Sequence, residues 1–84
     1  MDEKLFLLEL ARQIKIARMR TGKTQLEVLH ETHIHIGRIE QGDQSIQLIT
    51  FYRLCKYLGI SPEEIISNIS YQLSFNDIRV IGRN

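Results

Sequence analysis

Apolar residues recur at three- and four-residue steps along most of the chain, which is the spacing of helices that bury one face. Over residues 4–21 this spacing predicts a first helix, and Gly22 follows as a C-terminal stop. The clearest stripe covers residues 48–58 and ends at Gly59, so it predicts a fourth helix. The apolar positions are Leu7, Leu10, Ala11, Ile14 and Ala17 in the first helix and Leu48, Phe51, Leu54, Cys55 and Leu58 in the fourth.

Capping residues mark the starts of two more helices. Thr24 followed by Glu27 forms a capping box, which predicts a short second helix from Gln25. Ser61 and Pro62, followed by two glutamates, predict the start of a fifth helix.

A third helix is expected between the second and the fourth. Thr32 is a candidate N-cap, and the three-residue step from Ile36 to Ile39 predicts one buried face. Gly42 would end this helix after about two turns. The five segments together predict an all-α domain over residues 1–68.

The pattern changes after residue 68. Alternation of apolar and polar residues favours a half-buried strand in a C-terminal extension over residues 69–84, with a second extended run over residues 78–81. The steps from Ile65 to Ile69 and on to Leu73 also fit a continued helix, so that alternative stays open. The alternating apolar residues are Ile69, Tyr71, Leu73 and Phe75.

Size and composition limit what the chain can do. Its 84 residues leave room for one small core, and 43% hydrophobic with 25% charged residues is typical of a folded domain. A single cysteine excludes an internal disulfide framework. With no export signal and no apolar run of membrane-spanning length in the sequence, we expect a cytoplasmic protein without membrane contact.

The charge is balanced overall but uneven along the chain. The net charge is only +1, yet five basic and no acidic residues lie between Glu9 and Glu27. Contact with a polyanion is expected to start at this basic run, and the alternative is a solvated helix face. The five residues are Arg12, Lys15, Arg18, Arg20 and Lys23.

Three stretches of the chain occur in an order that is specific to one family. They are Arg18-Met-Arg-Thr-Gly-Lys-Thr24-Gln25, then Gly37-Arg38-Ile39-Glu40-Gln41-Gly42, then the fourth-helix stripe with its Leu58-Gly59-Ile60-Ser61 end. Over roughly residues 5–67 the chain therefore resembles the lambda-repressor-like (Cro/XRE) helix-turn-helix transcriptional regulators.

The resemblance implies a five-helix domain that binds double-stranded DNA and reads the major groove with the helix around residues 33–41. It also implies a DNA contact at Gln25 and an ion pair between Arg18 and Glu40 that holds the recognition helix. With the helix cap and the loop after the recognition helix included, the predicted DNA-binding residues are Thr24, Gln25, Thr32, His33, Ile34, His35, Gly37, Arg38, Gln44 and Ser45.

The chain departs from the family in one place. The segment between Thr24-Gln25 and Arg38-Ile39-Glu40 is about three residues shorter than is usual, which is close to one helical turn. We expect the shortening at the end of the second helix or in the turn, since Ile36 and Ile39 keep the recognition-helix spacing.

Other kinds of site are not supported. His33 and His35 are two residues apart and point to different sides of a helix, so a metal site is rejected, and Cys55 is expected in the core. No glycine-rich phosphate loop and no nucleophile–base pair is present, so we expect neither an enzyme nor a cofactor.

The sequence thus predicts a DNA-binding transcriptional regulator that acts as a homodimer, because one short recognition helix reads few base pairs. The dimer is expected to form through the C-terminal strand, and the alternative is a monomer whose tail folds onto the first helix. The rival function is a protein-interaction module, for example antitoxin-like, that keeps the helix-turn-helix scaffold with weak or no DNA reading.

Overall fold

Five helices build residues 2–76, which are the residues that the computed structural model describes. They are α1 (Glu3–Thr21), α2 (Gln25–Thr32), α3 (Ile36–Ile39), α4 (Leu48–Leu58) and α5 (Pro62–Asn76). The predicted all-α fold class is confirmed for this part of the chain.

Local sequence sets most helix ends as predicted. Gly22 after α1 and Gly59 after α4 have left-handed backbone angles, with φ of 75° and 73°, which favour glycine. At the start of α2, the Thr24 hydroxyl accepts a hydrogen bond from the Glu27 amide (3.1 Å), and the Glu27 carboxylate accepts one from the Thr24 amide (2.9 Å). The predicted capping box is therefore present.

The core lies where α1, α4 and α5 meet the helix pair α2 and α3. Ile14, Ile36, Leu54, Ile65 and Ile69 are fully buried in it, one or two from each of these helices except α2, which contributes the buried Val28. Cys55 is also buried, as expected, and burial together with the nearby charge of Glu63 raises the pKa of its thiol to about 11.

A single polar side chain is buried with these residues in the described part of the chain. Gln13 of α1 donates to the Glu9 carboxylate (2.9 Å), and its side-chain oxygen accepts from Asn68 of α5 (3.2 Å). Because both ends of the amide are satisfied, its burial carries little penalty, and it ties α5 to α1.

The strand predicted from residue 69 is wrong for the described residues, since α5 continues to Asn76 across the boundary drawn at residue 68. Ile69 and Leu73 are buried while Tyr71 is exposed, so the four-residue step from Ile65 decided the outcome over the two-residue alternation. Up to Asn76 the tail packs on α1 as part of α5. The extended run predicted over residues 78–81 lies outside the described residues.

The turn between α2 and α3 also differs from the prediction. Thr32 is the last residue of α2 and not the N-cap of α3; its hydroxyl donates to the Val28 carbonyl (2.7 Å) and accepts from the Ile34 amide (3.0 Å). His33 ends α2 with a φ of 61°. The third helix has only four residues, which is about one turn where two were predicted.

Candidate nucleic-acid interface

The exposed side of α3 lies between two shallow concavities that share His35 and Arg38. Their other polar residues come from α2, α3, the following loop and α4, and we call the combined surface the α3 face. Its other polar side chains are those of Gln25 and Gln41 in one concavity, which Gly37 also lines, and those of Thr32, His33, Gln44, Thr50 and Arg53 in the other. Side chains that can hydrogen-bond to base edges or phosphates therefore surround the exposed Arg38.

Most of the predicted DNA-binding residues are brought together on this face, but two are not, and a third is buried in it. Ile34 lines one concavity but is only 7% exposed, because α3 starts two residues later and Ile34 joins the core; the prediction that it lies exposed on the third helix is wrong. Thr24 is engaged in the capping box through both its hydroxyl and its amide. Ser45 lines a different, apolar concavity with Phe6 and Ile46.

An ion pair fixes the end of α3 to α1, as the family resemblance implied. Arg18 donates from Nε to Glu40 Oε2 (2.7 Å) and from Nη2 to Glu40 Oε1 (3.1 Å). Its third contact is from Nη1 to the Lys23 carbonyl (2.9 Å), which holds the loop before α2. The hydrogen bonds to Glu40 raise the pKa of the arginine, and they outweigh its burial, which acts to lower that pKa.

Gln25 is tied to the same glutamate. Its Nε2 donates to Glu40 Oε1 (2.9 Å), and its carboxamide lies against Gly37. Gln25, the first residue of α2, is therefore joined to Glu40 at the C-terminal end of α3 and lies against the backbone of α3 at Gly37.

Acidic residues compensate much of the basic run. Arg12 bonds to Glu9 (2.9 Å), and burial, which acts to raise the pKa of Glu9, is outweighed by hydrogen bonds from Arg12 and Gln13, so that this pKa is lowered. Lys23 pairs with Glu31 (3.2 Å). Lys15 and Arg20 are exposed and form no ion pair within residues 2–76, so they remain as phosphate candidates.

A tyrosine completes the pair between Lys23 and Glu31. Tyr57 of α4 donates a short hydrogen bond to Glu31, and the Lys23 ammonium lies 5.5 Å from the centre of the Tyr57 ring. The hydrogen bond from Tyr57, followed by that from Lys23, lowers the pKa of Glu31. This cluster fastens α2 to α4.

Three residues of the α3 face were not predicted from the sequence. Arg53 and Thr50 lie on α4, three residues apart and off its apolar stripe, and Gln41 follows α3. Helical spacing on α4 could have identified Arg53 as an exposed basic residue, but only the fold shows that α4 lies beside α3.

Residues 2–76 contain no candidate metal site, since no group of three histidine, cysteine or acidic side chains lies close enough together to hold a metal ion. No helix in this part combines the length and apolar character that a membrane crossing requires.

Comparison with known proteins gives one match. A family model for helix-turn-helix domains matches residues 14–65, which is more than half of the chain and spans α2, α3 and α4. Neither a curated protein nor a solved structure shows significant similarity to the chain.

Proposed function

Because the chain belongs to the Cro/C1-type helix-turn-helix family, whose members are DNA-binding regulatory domains, we propose that it is a sequence-specific transcriptional regulator that lays the α3 face in the major groove of double-stranded DNA. The observation that carries this proposal is the placement of Arg38. It is exposed, it lies on α3, and it is shared by both concavities of the α3 face.

Arg38 supplies the main base contact in this proposal. A guanidinium donates two parallel hydrogen bonds to O6 and N7 of guanine, a contact that discriminates between bases by about 1–3 kcal/mol. His35 adjoins Arg38 on the same exposed side, and its ring can hydrogen-bond to a neighbouring base edge. With a helix of four residues, the number of bases read per chain is small.

Contacts to the phosphate backbone come from the rim of the α3 face. Arg53 and Gln44 lie on the side of α4 and the loop, where a positive charge and a side-chain amide can hold phosphate oxygens. Lys15 and Arg20 add exposed positive charge along α1. These contacts give the affinity and Arg38 gives the sequence preference, so the two can be separated by mutation.

We include a homodimer in the proposal, because so short a recognition helix needs a second half-site for useful specificity. Four large apolar side chains are exposed together along an open groove of about 860 Å³, and we call them the α4/α5 face: Leu48, Ile49, Tyr52 and Ile66. Leu48 is 79% exposed. The α4/α5 face shares no lining residue with the α3 face, so a second copy and DNA can be bound together.

The dimer is tested by the mass of the chain in solution and on DNA. We expect Ile66→Glu to give a monomer, because a charge at the centre of an apolar interface is costly to bury. Met19→Glu, which changes another exposed apolar side chain on α1, is the matched control and should leave the dimer intact. A wild-type chain that stays monomeric both free and on palindromic DNA would contradict the dimer.

Two observations favour the rival function, a protein-interaction module that keeps the helix-turn-helix scaffold with weak or no DNA reading. The α4/α5 face would suit a different protein chain as well as a second copy, and Glu9 and Glu31 neutralise part of the basic run. We prefer DNA binding because Arg38, Arg53, Lys15 and Arg20 remain exposed and unpaired with acids within the described residues.

The deciding experiment is selection of bound duplexes from a random DNA pool at low salt, followed by affinity measurements across a salt series. We expect one enriched motif and an affinity that falls steeply as salt rises, because bound Lys and Arg release counterions. A folded chain that enriches no sequence and binds no duplex at low salt would exclude the regulator and support the interaction module.

A further inference from the structure

The Gln25 carboxamide is held in one orientation by Glu40. Glu40 accepts from Gln25 Nε2 at 2.9 Å and from two nitrogens of Arg18, so all three neighbouring groups are donors. An ionised carboxylate only accepts hydrogen bonds, so the amide nitrogen of Gln25 and not its oxygen must face Glu40. The charge on Glu40 therefore decides which end of the carboxamide is directed outward.

The outward end is the oxygen, and it lies over Gly37. A Cβ atom at position 37 would be 3.0 Å from Gln25 Oε1, closer than such contacts normally allow. Within residues 2–76 this oxygen accepts no hydrogen bond from the protein. Because Gly37 has no side chain, Gln25 Oε1 of α2 can lie beside α3 at this position as an acceptor without a protein donor.

We propose that Glu40 is a positioning residue that presents Gln25 Oε1 as a fixed acceptor to the major groove, so that the chain prefers a base carrying an exocyclic amino group at one position of its site. Adenine N6 and cytosine N4 are the amino donors in that groove, whereas guanine O6 and thymine O4 are acceptors and would face the oxygen unfavourably. This inference rests on the proposed DNA binding and adds the chemistry of one base contact.

Gly37 offers the sharpest test, because its backbone does not require glycine: it lies within α3 and is not among the glycines with positive φ. Alanine there should keep the helix, since alanine favours helices more than glycine does. Its Cβ would displace the end of the flexible Gln25 side chain. Gly37→Ala should therefore fold normally and still lose the oriented acceptor.

The experiment compares selected DNA motifs for the wild type, Gly37→Ala, Gln25→Ala and the control Gln41→Ala, which changes another exposed glutamine of the same concavity. We expect Gly37→Ala and Gln25→Ala to lose about fivefold to tenfold preference at one base pair and to keep the rest of the motif. Gln41→Ala should keep the preference at that base pair.

Glu40→Gln separates positioning from simple support. A glutamine at position 40 can donate as well as accept, so Gln25 can turn its nitrogen outward and accept guanine or thymine at the same base pair. Folding of this variant is checked by its melting curve. NMR of the free proteins provides a second measurement. In the wild type, the chemical shifts and exchange rates of the Gln25 side-chain amide protons should differ from those of Gln41, because only Gln25 donates to Glu40. In Gly37→Ala the two sets of values should become similar.

The outcomes distinguish the two proposals. If no variant binds duplex DNA although all are folded, the proposed function fails and the base contact fails with it. If the wild type binds a motif that Gly37→Ala and Gln25→Ala leave unchanged, the regulator stands and the role of Glu40 is overturned. Gln25 amide protons that match those of Gln41 in the wild type would also overturn it.

Discussion

Arg18, in the last turn of α1, donates two hydrogen bonds to Glu40, the residue that follows α3. The two side chains are largely buried, with 12% and 4% of their surfaces exposed, although 22 residues separate them in the chain. Arg18 also donates to the Lys23 carbonyl, so its guanidinium joins α1 to the loop before α2 and to the end of α3. These contacts hold α3 in its orientation to α1.

Replacing Arg18 with alanine should reduce the free energy of unfolding by about 3 kcal/mol, because Glu40 is left as a buried charge without its partner. Arg20→Ala is the matched control on the same helix: Arg20 is exposed, so the change should stay within about 0.5 kcal/mol. Urea unfolding of both variants measures the difference. Equal midpoints for Arg18→Ala and the wild type would contradict a stabilising pair.

Arg53 and Lys56 of α4 should behave differently in DNA binding although they are three residues apart. Arg53 lies on the α3 face, whereas the Lys56 ammonium lies 5.8 Å from the centre of the Tyr52 ring, on the side of the α4/α5 face. We expect Arg53→Ala to weaken binding to all sequences and to lower the slope of log affinity against log salt by about one. Lys56→Ala should leave that slope unchanged. If the two substitutions changed the slope equally, DNA binding at the α3 face would be contradicted.

Ile69 should be essential to folding, and Ile66 should not be. Both lie on α5, but Ile69 is fully buried and Ile66 is 42% exposed. Ile69→Ala should cost about 2–5 kcal/mol, whereas Ile66→Ala should cost clearly less because less contact is lost. Thermal melting of the two variants tests this, and equal losses of stability for Ile69→Ala and Ile66→Ala would contradict the packing of α5 through Ile69.

Acid should weaken the cluster of Lys23, Glu31 and Tyr57. The hydrogen bonds from Tyr57 and Lys23 hold the pKa of Glu31 below its ordinary value of 4.5. A lowered pKa in the folded state means that the stabilisation is complete above pH 4.5 and is lost as the pH falls through the folded-state value. The difference in melting temperature between the wild type and Glu31→Gln should therefore narrow from about pH 6 to about pH 3.

Tyr57→Phe provides the control for this titration, because it removes the main donor to Glu31 and leaves the carboxylate in place. The difference in melting temperature between Tyr57→Phe and the wild type should narrow over the same acid range. Since nearly half of the Glu31 side chain is exposed, solvent weakens the pair and the effect is expected to be small. A difference that stays constant as the pH falls would show that Glu31 contributes nothing through its charge.

Helix ends and the family could be predicted from the sequence because their signals are local. A left-handed residue at Gly22 or Gly59 and the capping box of Thr24 with Glu27 depend on neighbours within one turn. The family match over residues 14–65 confirms the resemblance that was based on the order of three short stretches. Such features are determined by the chain itself, before any tertiary contact forms.

The tertiary structure decided the features that depend on distant residues. Residues 69–76 fit two periods, and only packing against α1, seen at Gln13 and Asn68, selects the helix. Lys23 belongs to the basic run, and only the fold shows that it meets Glu31 and Tyr57, which lie 8 and 34 residues away in the numbering.

The α3 face shows the same division. The family resemblance indicated Gln25 and the pair of Arg18 with Glu40, but Ile34 became core and Arg53 joined the site from α4. Whether a side chain is buried or paired depends on the free energy of the whole helix packing, and neighbours in the sequence do not determine it. The chain alone therefore specified which helices form and where most of them end, and the packing of those helices specified which side chains meet.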